Sequence, residues 1–109
     1  MSSYYKPRQM PARFLEGAPD IVRKNVLDII GIVPAAPLDF DVLLRPDPAP
    51  YADTYVTGID FGRDGARGCH FELHAYEARG YRERTRRNRV AWRDLPEPTR
   101  AAVLAYLAD

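Results

Sequence analysis

Residues 55–76 read YVTGIDFGRDGARGCHFELHAY, two alternating segments on either side of a glycine-rich centre. One face of the first segment carries Tyr55, Thr57, Ile59 and Phe61. One face of the second carries Cys69, Phe71, Leu73 and Ala75. This period of two is typical of half-buried strands, and the small and polar residues from Gly62 to Gly68 suit a reversing loop. The pattern predicts an antiparallel hairpin with Cys69 turned toward the core as an inert thiol.

The segment before the hairpin contains one further strand pattern and one helix pattern. Residues 38–44 alternate apolar side chains with Asp39 and Asp41, which predicts a half-buried strand. In residues 19–30, apolar residues recur at the helical period, Pro19 suits a first turn and Gly31 follows the run. We expect a helix over 19–30 whose polar face, including Asp28, contacts solvent.

The last stretch of the chain predicts a second helix, and prolines interrupt the middle. Residues 95–108 begin with two prolines and carry an apolar stripe made of Thr99, Ala102, Val103, Tyr106 and Leu107. The three prolines within residues 45–53 remove amide donors, so we expect a stiff connector there. The order predicts an α+β fold: a small antiparallel sheet of three to four strands with two flanking helices, both on one face.

Length and composition favour one folded domain. A chain of 109 residues with 46% hydrophobic and 28% charged residues is unlike a disordered sequence. We interpret residues 1–18 as an N-terminal arm or loop and residues 19–109 as a single domain. The single cysteine excludes an internal disulfide, no apolar run suits an export signal or a membrane span, and we expect a cytoplasmic protein without membrane contact.

Positive charge is concentrated near the C-terminus. Residues 79–93, which we call the arginine segment, hold seven arginines and one acidic residue, a net charge of +6 in a chain whose total is +1. The alternation after Gly80 predicts an exposed edge strand or a loop. Guanidinium groups pair with phosphate oxygens, aromatic rings stack on bases and amides contact base edges. The candidate binding residues are Arg79, Tyr81, Arg82, Arg84, Arg86, Arg87, Asn88, Arg89, Trp92 and Arg93.

The sequence therefore favours a non-enzymatic module that binds the phosphate backbone of nucleic acid. The alternatives are an adaptor or inhibitor that docks on an acidic protein surface, and a basic face that is merely solvated. No helix-turn-helix, zinc-finger or other nucleic-acid-binding motif is present. Unpaired sheet edges leave homodimerisation open.

Catalysis and metal binding receive little support from the sequence. No catalytic motif is recognisable, so we expect neither an enzyme nor a cofactor. His70, Glu72 and His74 are the weak candidates for a metal site because two imidazoles and a carboxylate would share one face of a strand. Their spacing of about 7 Å along a strand is poor for one ion, so the sequence favours a polar outer face.

Overall fold

The computed structural model describes residues 7–32, 39–46 and 55–109. Within these ranges the chain forms helix α1 (Asp20–Asn25), strands β1 (Val26–Gly31), β2 (Phe40–Leu44), β3 (Tyr55–Phe61) and β4 (Arg67–His74), helix α2 (Ala75–Arg84) and helix α3 (Glu97–Ala108). Short 3-10 turns occur at Ala12–Leu15, Arg86–Asn88 and Trp92–Asp94. Residues 1–6 of the predicted arm and most of the predicted connector lie outside the described residues.

The four described strands form one antiparallel sheet in the order β1-β2-β3-β4. Each strand pairs with its neighbour in sequence, and β-bulges interrupt the register between Val26 and Asp28 and between Ile59 and Phe61. The α+β class, the antiparallel sheet and the flanking N-terminal and C-terminal helices are confirmed. Helix α2 is an additional element that the sequence pattern did not predict.

The sheet has a separate apolar core on each face. On one face, α1 and α3 contribute Val22 and Val103 to a cluster with Ile29, Val42 and Ile59. The chain before α1 enters the same cluster through the buried side chains of Met10, Leu15 and Ala18. On the other face, Ala78 of α2 packs on Leu27, Leu43 and Val56. The sheet is thus covered on both sides, which decides where polar residues can remain.

The predicted helix over 19–30 is wrong in its second half. Helix α1 ends at Asn25, and residues 26–31 form β1. Residues 26–30 are all buried because both faces of β1 are covered, so the strand is a continuous apolar run with one aspartate instead of an alternating pattern. A continuous run of buried residues matches any period. The helical spacing of Val22, Val26, Ile29 and Ile30 was therefore misleading.

The turn between β3 and β4 fits closely against the start of α3. Gly65 has a φ of +89°, and a Cβ there would lie 2.9 Å from the carbonyl oxygen of Pro98. The buried hydroxyl of Thr99 donates a 2.7 Å hydrogen bond to the carbonyl oxygen of Gly62. These contacts connect α3 to the hairpin.

We expect Gly65→Ala to lower the free energy of unfolding by more than about 1 kcal/mol, since it combines an unfavourable φ with a collision. Gly17→Ala is the matched control because Gly17 has a φ of +78° but open space around the added Cβ. Chemical denaturation of the two variants measures the difference. Equal losses would show that contact with Pro98 contributes nothing.

Candidate functional site

The first half of the arginine segment belongs to helix α2, so the predicted edge strand or loop is wrong there. The helix spans Ala75–Arg84, and the Glu77 carboxylate accepts a 3.1 Å hydrogen bond from the backbone N–H of His74 at its start. Ala75, Ala78 and Arg82 are its buried residues. Their spacing of three and four places them on one side of the helix, and the small alanines let it approach the sheet closely.

A buried aspartate on β1 binds two arginines of the arginine segment. Asp28 is 0% exposed, and its Oδ2 accepts hydrogen bonds from Arg82 Nε at 2.9 Å and from Arg89 Nη2 at 2.9 Å. Its Oδ1 accepts hydrogen bonds from Arg89 Nε at 2.8 Å and from the backbone N–H of Ile29 at 3.1 Å. Both carboxylate oxygens are therefore fully used, as a buried charge requires.

The bulge in β1 explains why Asp28 lies on this face of the sheet. The register shift between Val26 and Asp28 brings Asp28 opposite Leu43, which belongs to the cluster under α2. Arg82 extends from α2 above it, and Arg89 approaches from the segment that pairs with Ile30 at the edge of β1. The expectation that Asp28 contacts solvent is wrong.

The remaining arginines of the segment differ in how they are engaged. Arg93 donates a 2.8 Å hydrogen bond to Glu16, and Arg79 lies 4.0 Å from Glu83 one helical turn away. Both pairs are exposed. The side chains of three further arginines are exposed and make no hydrogen bond or ion pair with any other described residue: Arg84, Arg86 and Arg87.

An open groove of about 750 Å³ lies where the chain before α1 meets α2 and the segment after it. Its lining includes five arginines and one acidic residue: Arg8, Arg79, Arg82, Arg86, Arg89 and Glu83. We call this the arginine groove. Asp28, which partly neutralises Arg82 and Arg89, adds a second negative charge. Five positive and two negative side chains give the groove a local charge of +3. Arg8 was not among the sequence candidates because nothing local distinguishes it.

The two aromatic candidates do not offer free rings. Trp92 is 5% exposed and packs in the core beneath α1 and α3. Tyr81 is partly buried against the α2 core, and its hydroxyl donates a 2.6 Å hydrogen bond to Asp41 Oδ2. Neither ring is therefore placed as an exposed stacking surface for bases. Asn88 is exposed in the turn after α2, where its amide can contact a ligand.

Tyr81 covers a pair of aspartates that face each other across β2 and β3. Asp41 is directly opposite Asp60. Burial, a hydrogen bond with Asp60 and the charge of Asp60 raise the pKa of Asp41 from 3.8 to about 7, partly offset by the hydrogen bond from Tyr81. Burial, followed by the interaction with Asp41, raises the pKa of Tyr81 as well.

Both histidines among the weak metal candidates make contacts with aromatic rings. The His70 ring lies 5.3 Å from Tyr106 of α3, while the His74 ring lies 5.5 Å from Tyr55 and 6.0 Å from Tyr76. The described residues contain no group of three or more His, Cys, Asp or Glu side chains arranged to hold a metal ion. The inward placement predicted for Cys69 is wrong: it is exposed, because α2 covers Phe71 and Leu73 but not the start of β4.

Two further observations bear on the class of protein. In the described ranges, no helix is long and apolar enough to cross a lipid bilayer. No family model matches the chain, and comparisons with curated proteins and with solved structures found no significant match.

Proposed function

We propose that this protein is a non-enzymatic module that binds the phosphate backbone of nucleic acid through the arginine groove. The observation that supports this most directly is the convergence of five guanidinium groups from three parts of the chain on one open groove. Arginine side chains bind phosphate oxygens through paired N–H donors, and a net positive groove raises the local concentration of a polyanion.

The groove combines arginines that Asp28 holds in place with arginines whose side chains are exposed. Asp28 holds the guanidinium planes of Arg82 and Arg89 in one orientation. These side chains therefore lose less conformational entropy when a phosphate binds. The exposed side chains of Arg8, Arg79 and Arg86 lie around them; Arg79 is paired with Glu83 at 4.0 Å, and the groove as a whole keeps a net positive charge. We therefore assign the main phosphate contacts to these three residues, with Arg84 and Arg87 as outer contacts.

The contacts expected in this groove carry little sequence information. Trp92 is buried and Tyr81 is bound to Asp41, so neither supplies a stacking platform for bases. Phosphate contacts position a nucleic acid without reading its bases. We accordingly propose binding that tolerates most sequences and weakens steeply with salt.

We expect the double variant R79A/R86A to reduce the slope of log affinity against log salt by about 1.5, since each lost phosphate contact contributes ~0.7 to 0.9. The measurement is fluorescence anisotropy of a labelled oligonucleotide at several salt concentrations. R63A/R67A is the matched control, because it removes the same charge at a distance from the groove. Arg63 lies in the β3–β4 turn and pairs weakly with Asp39, and Arg67 is the first residue of β4 and lies over Tyr106. A slope that changes equally in both variants, or binding that does not depend on salt, would contradict the proposal.

The same anisotropy assay, run as a competition, distinguishes nucleic acid from an acidic protein partner. A competition with polyglutamate and with unlabelled oligonucleotide distinguishes regularly spaced phosphates from carboxylates. Preferential displacement by the oligonucleotide supports phosphate recognition. Displacement by polyglutamate at equal charge concentration would instead favour docking on an acidic protein surface.

A further inference from the structure

The two edges of the sheet are treated differently by the rest of the chain. Along β1, the backbone N–H of Met10 donates a 3.0 Å hydrogen bond to Leu27, and the backbone N–H of Val90 donates a 2.9 Å bond to Ile29. The chain thus covers this edge with its own backbone. Along β4, residues 68–73 make no backbone hydrogen bond to any described segment except β3.

The outer edge of β4 has few of the features that prevent strands from pairing. Proteins protect open edges with charges, prolines, bulges or a covering segment. In β4 the bulge and Arg67 both lie at its first end, and the five residues from Cys69 to Leu73 carry one full charge, on Glu72. An edge of this length that no described segment pairs with is a template for another strand.

We propose that the β4 edge binds a second copy of this chain, so that two β4 strands pair antiparallel about a two-fold axis through Phe71. In an antiparallel pair, side chains directly opposite each other lie on the same face of the sheet. A two-fold axis perpendicular to the sheet therefore passes through a pair formed by one residue and its own copy. This limits the registers to those centred on a single residue. The proposal is independent of the arginine groove.

Charge complementarity selects Phe71 as the centre. In this register, His70 of each copy is directly opposite Glu72 of the other, and an imidazole can donate a hydrogen bond to a carboxylate. Centring the axis on Glu72 would instead place two carboxylates against each other, and centring it on His70 would bring the bulge at Gly68 and Cys69 of each copy against Glu72 and Phe71 of the other.

Two exposed aromatic side chains lie at the last residue of β4. Tyr55 and Tyr76, which flank His74, are 48% and 68% exposed and are the exposed large hydrophobic residues of the described chain. Both rings contact His74, the last residue of β4. Phe71 contacts the β3 side of the strand, since a Cβ on Gly58 would lie 2.2 Å from its ring.

The test is the mass of the full chain in solution, measured by sedimentation over a dilution series. We expect a concentration-dependent dimer in the wild type. His70→Glu places two like-charged pairs across the axis and should weaken the dimer about tenfold, whereas H70E/E72K restores opposite charges and should recover it. The control A101E adds the same charge on the exposed side of α3 and should leave the dimer unchanged.

A monomer at every concentration of the wild type would overturn the proposal, as would a dimer unaffected by H70E. The register has a separate test in the triple variant C69S/H70C/E72C. Because residues 70 and 72 of the two copies are opposite, mild oxidation should give a covalent dimer that reductant reverses. Failure to crosslink in a sample that sediments as a dimer would exclude pairing about Phe71.

Discussion

Asp28→Ala should lower the free energy of unfolding by about 3 to 5 kcal/mol, because it leaves two nearly buried arginines without their shared anion. Asp28 is fully buried and accepts hydrogen bonds from both Arg82 and Arg89. A loss of this size is a large part of the stability of a typical domain, about 5 to 15 kcal/mol. Denaturant unfolding followed by circular dichroism measures it.

Two comparisons show whether the cause is the uncompensated charge. Arg93→Ala removes the exposed pair with Glu16 and should cost less than about 1 kcal/mol. The triple variant D28L/R82M/R89M replaces all three charges with apolar side chains of similar size and should recover most of the stability. If D28A costs no more than R93A, the buried triad does not stabilise the fold.

Asp41→Asn should make the protein more stable than the wild type above pH 7, by about 1 to 2 kcal/mol once the partial solvent exposure of this carboxyl is allowed for. The pKa of Asp41 is about 7 in the fold against an ordinary value of 3.8. Folding therefore takes up a proton between these two pH values, and the wild type loses stability as the pH rises through that window. An amide carries no charge to lose and can still accept the hydrogen bond from Tyr81.

The measurement is the free energy of unfolding from pH 4 to pH 8 for the wild type and D41N. The two should be similar near pH 4, where the Asp41 carboxyl is protonated in the folded protein. Asp94→Asn removes an exposed carboxylate and should keep the wild-type pH profile. A D41N profile parallel to that of the wild type would show that Asp41 does not hold its proton in the fold.

Both predictions concern how helix α2 is attached to the sheet. Arg82 binds Asp28 on β1, and Tyr81, the preceding residue, binds Asp41 on β2. Ala78 packs between them on the apolar cluster. The helix that carries Arg79 into the arginine groove is therefore positioned by two polar contacts, so groove geometry and stability should change together in D28A.

Strands β2, β3 and β4 and the C-terminal helix could be predicted because local patterns are sufficient for them. The alternation on both sides of Gly62–Gly68 matches β3 and β4, and the stripe from Thr99 to Leu107 matches α3. β4 and α3 each leave one side more exposed than the other, and such an element records its period in the sequence. The α+β class follows from their order.

The arginine segment could not be assigned in the same way. Its apolar residues are few, so neither period stands out, and the helix over Ala75–Arg84 is stabilised by contacts with a sheet far away in sequence. The partner of Arg82 and Arg89 is more than fifty residues distant. An aspartate within the apolar run VLDII was the available signal, since a charge in a buried strand needs a counter-charge.

The amino-acid sequence alone determined the sheet-forming hairpin, the C-terminal helix and the gathering of positive charge between residues 79 and 93. Tertiary structure decided how those residues are engaged: Asp28 partly neutralises Arg82 and Arg89, Trp92 is buried, and Arg8 joins the groove from the other end of the chain. The physical reason is that periodicity and composition are local properties, whereas the pairing of charges depends on which segments the sheet and its two cores bring together.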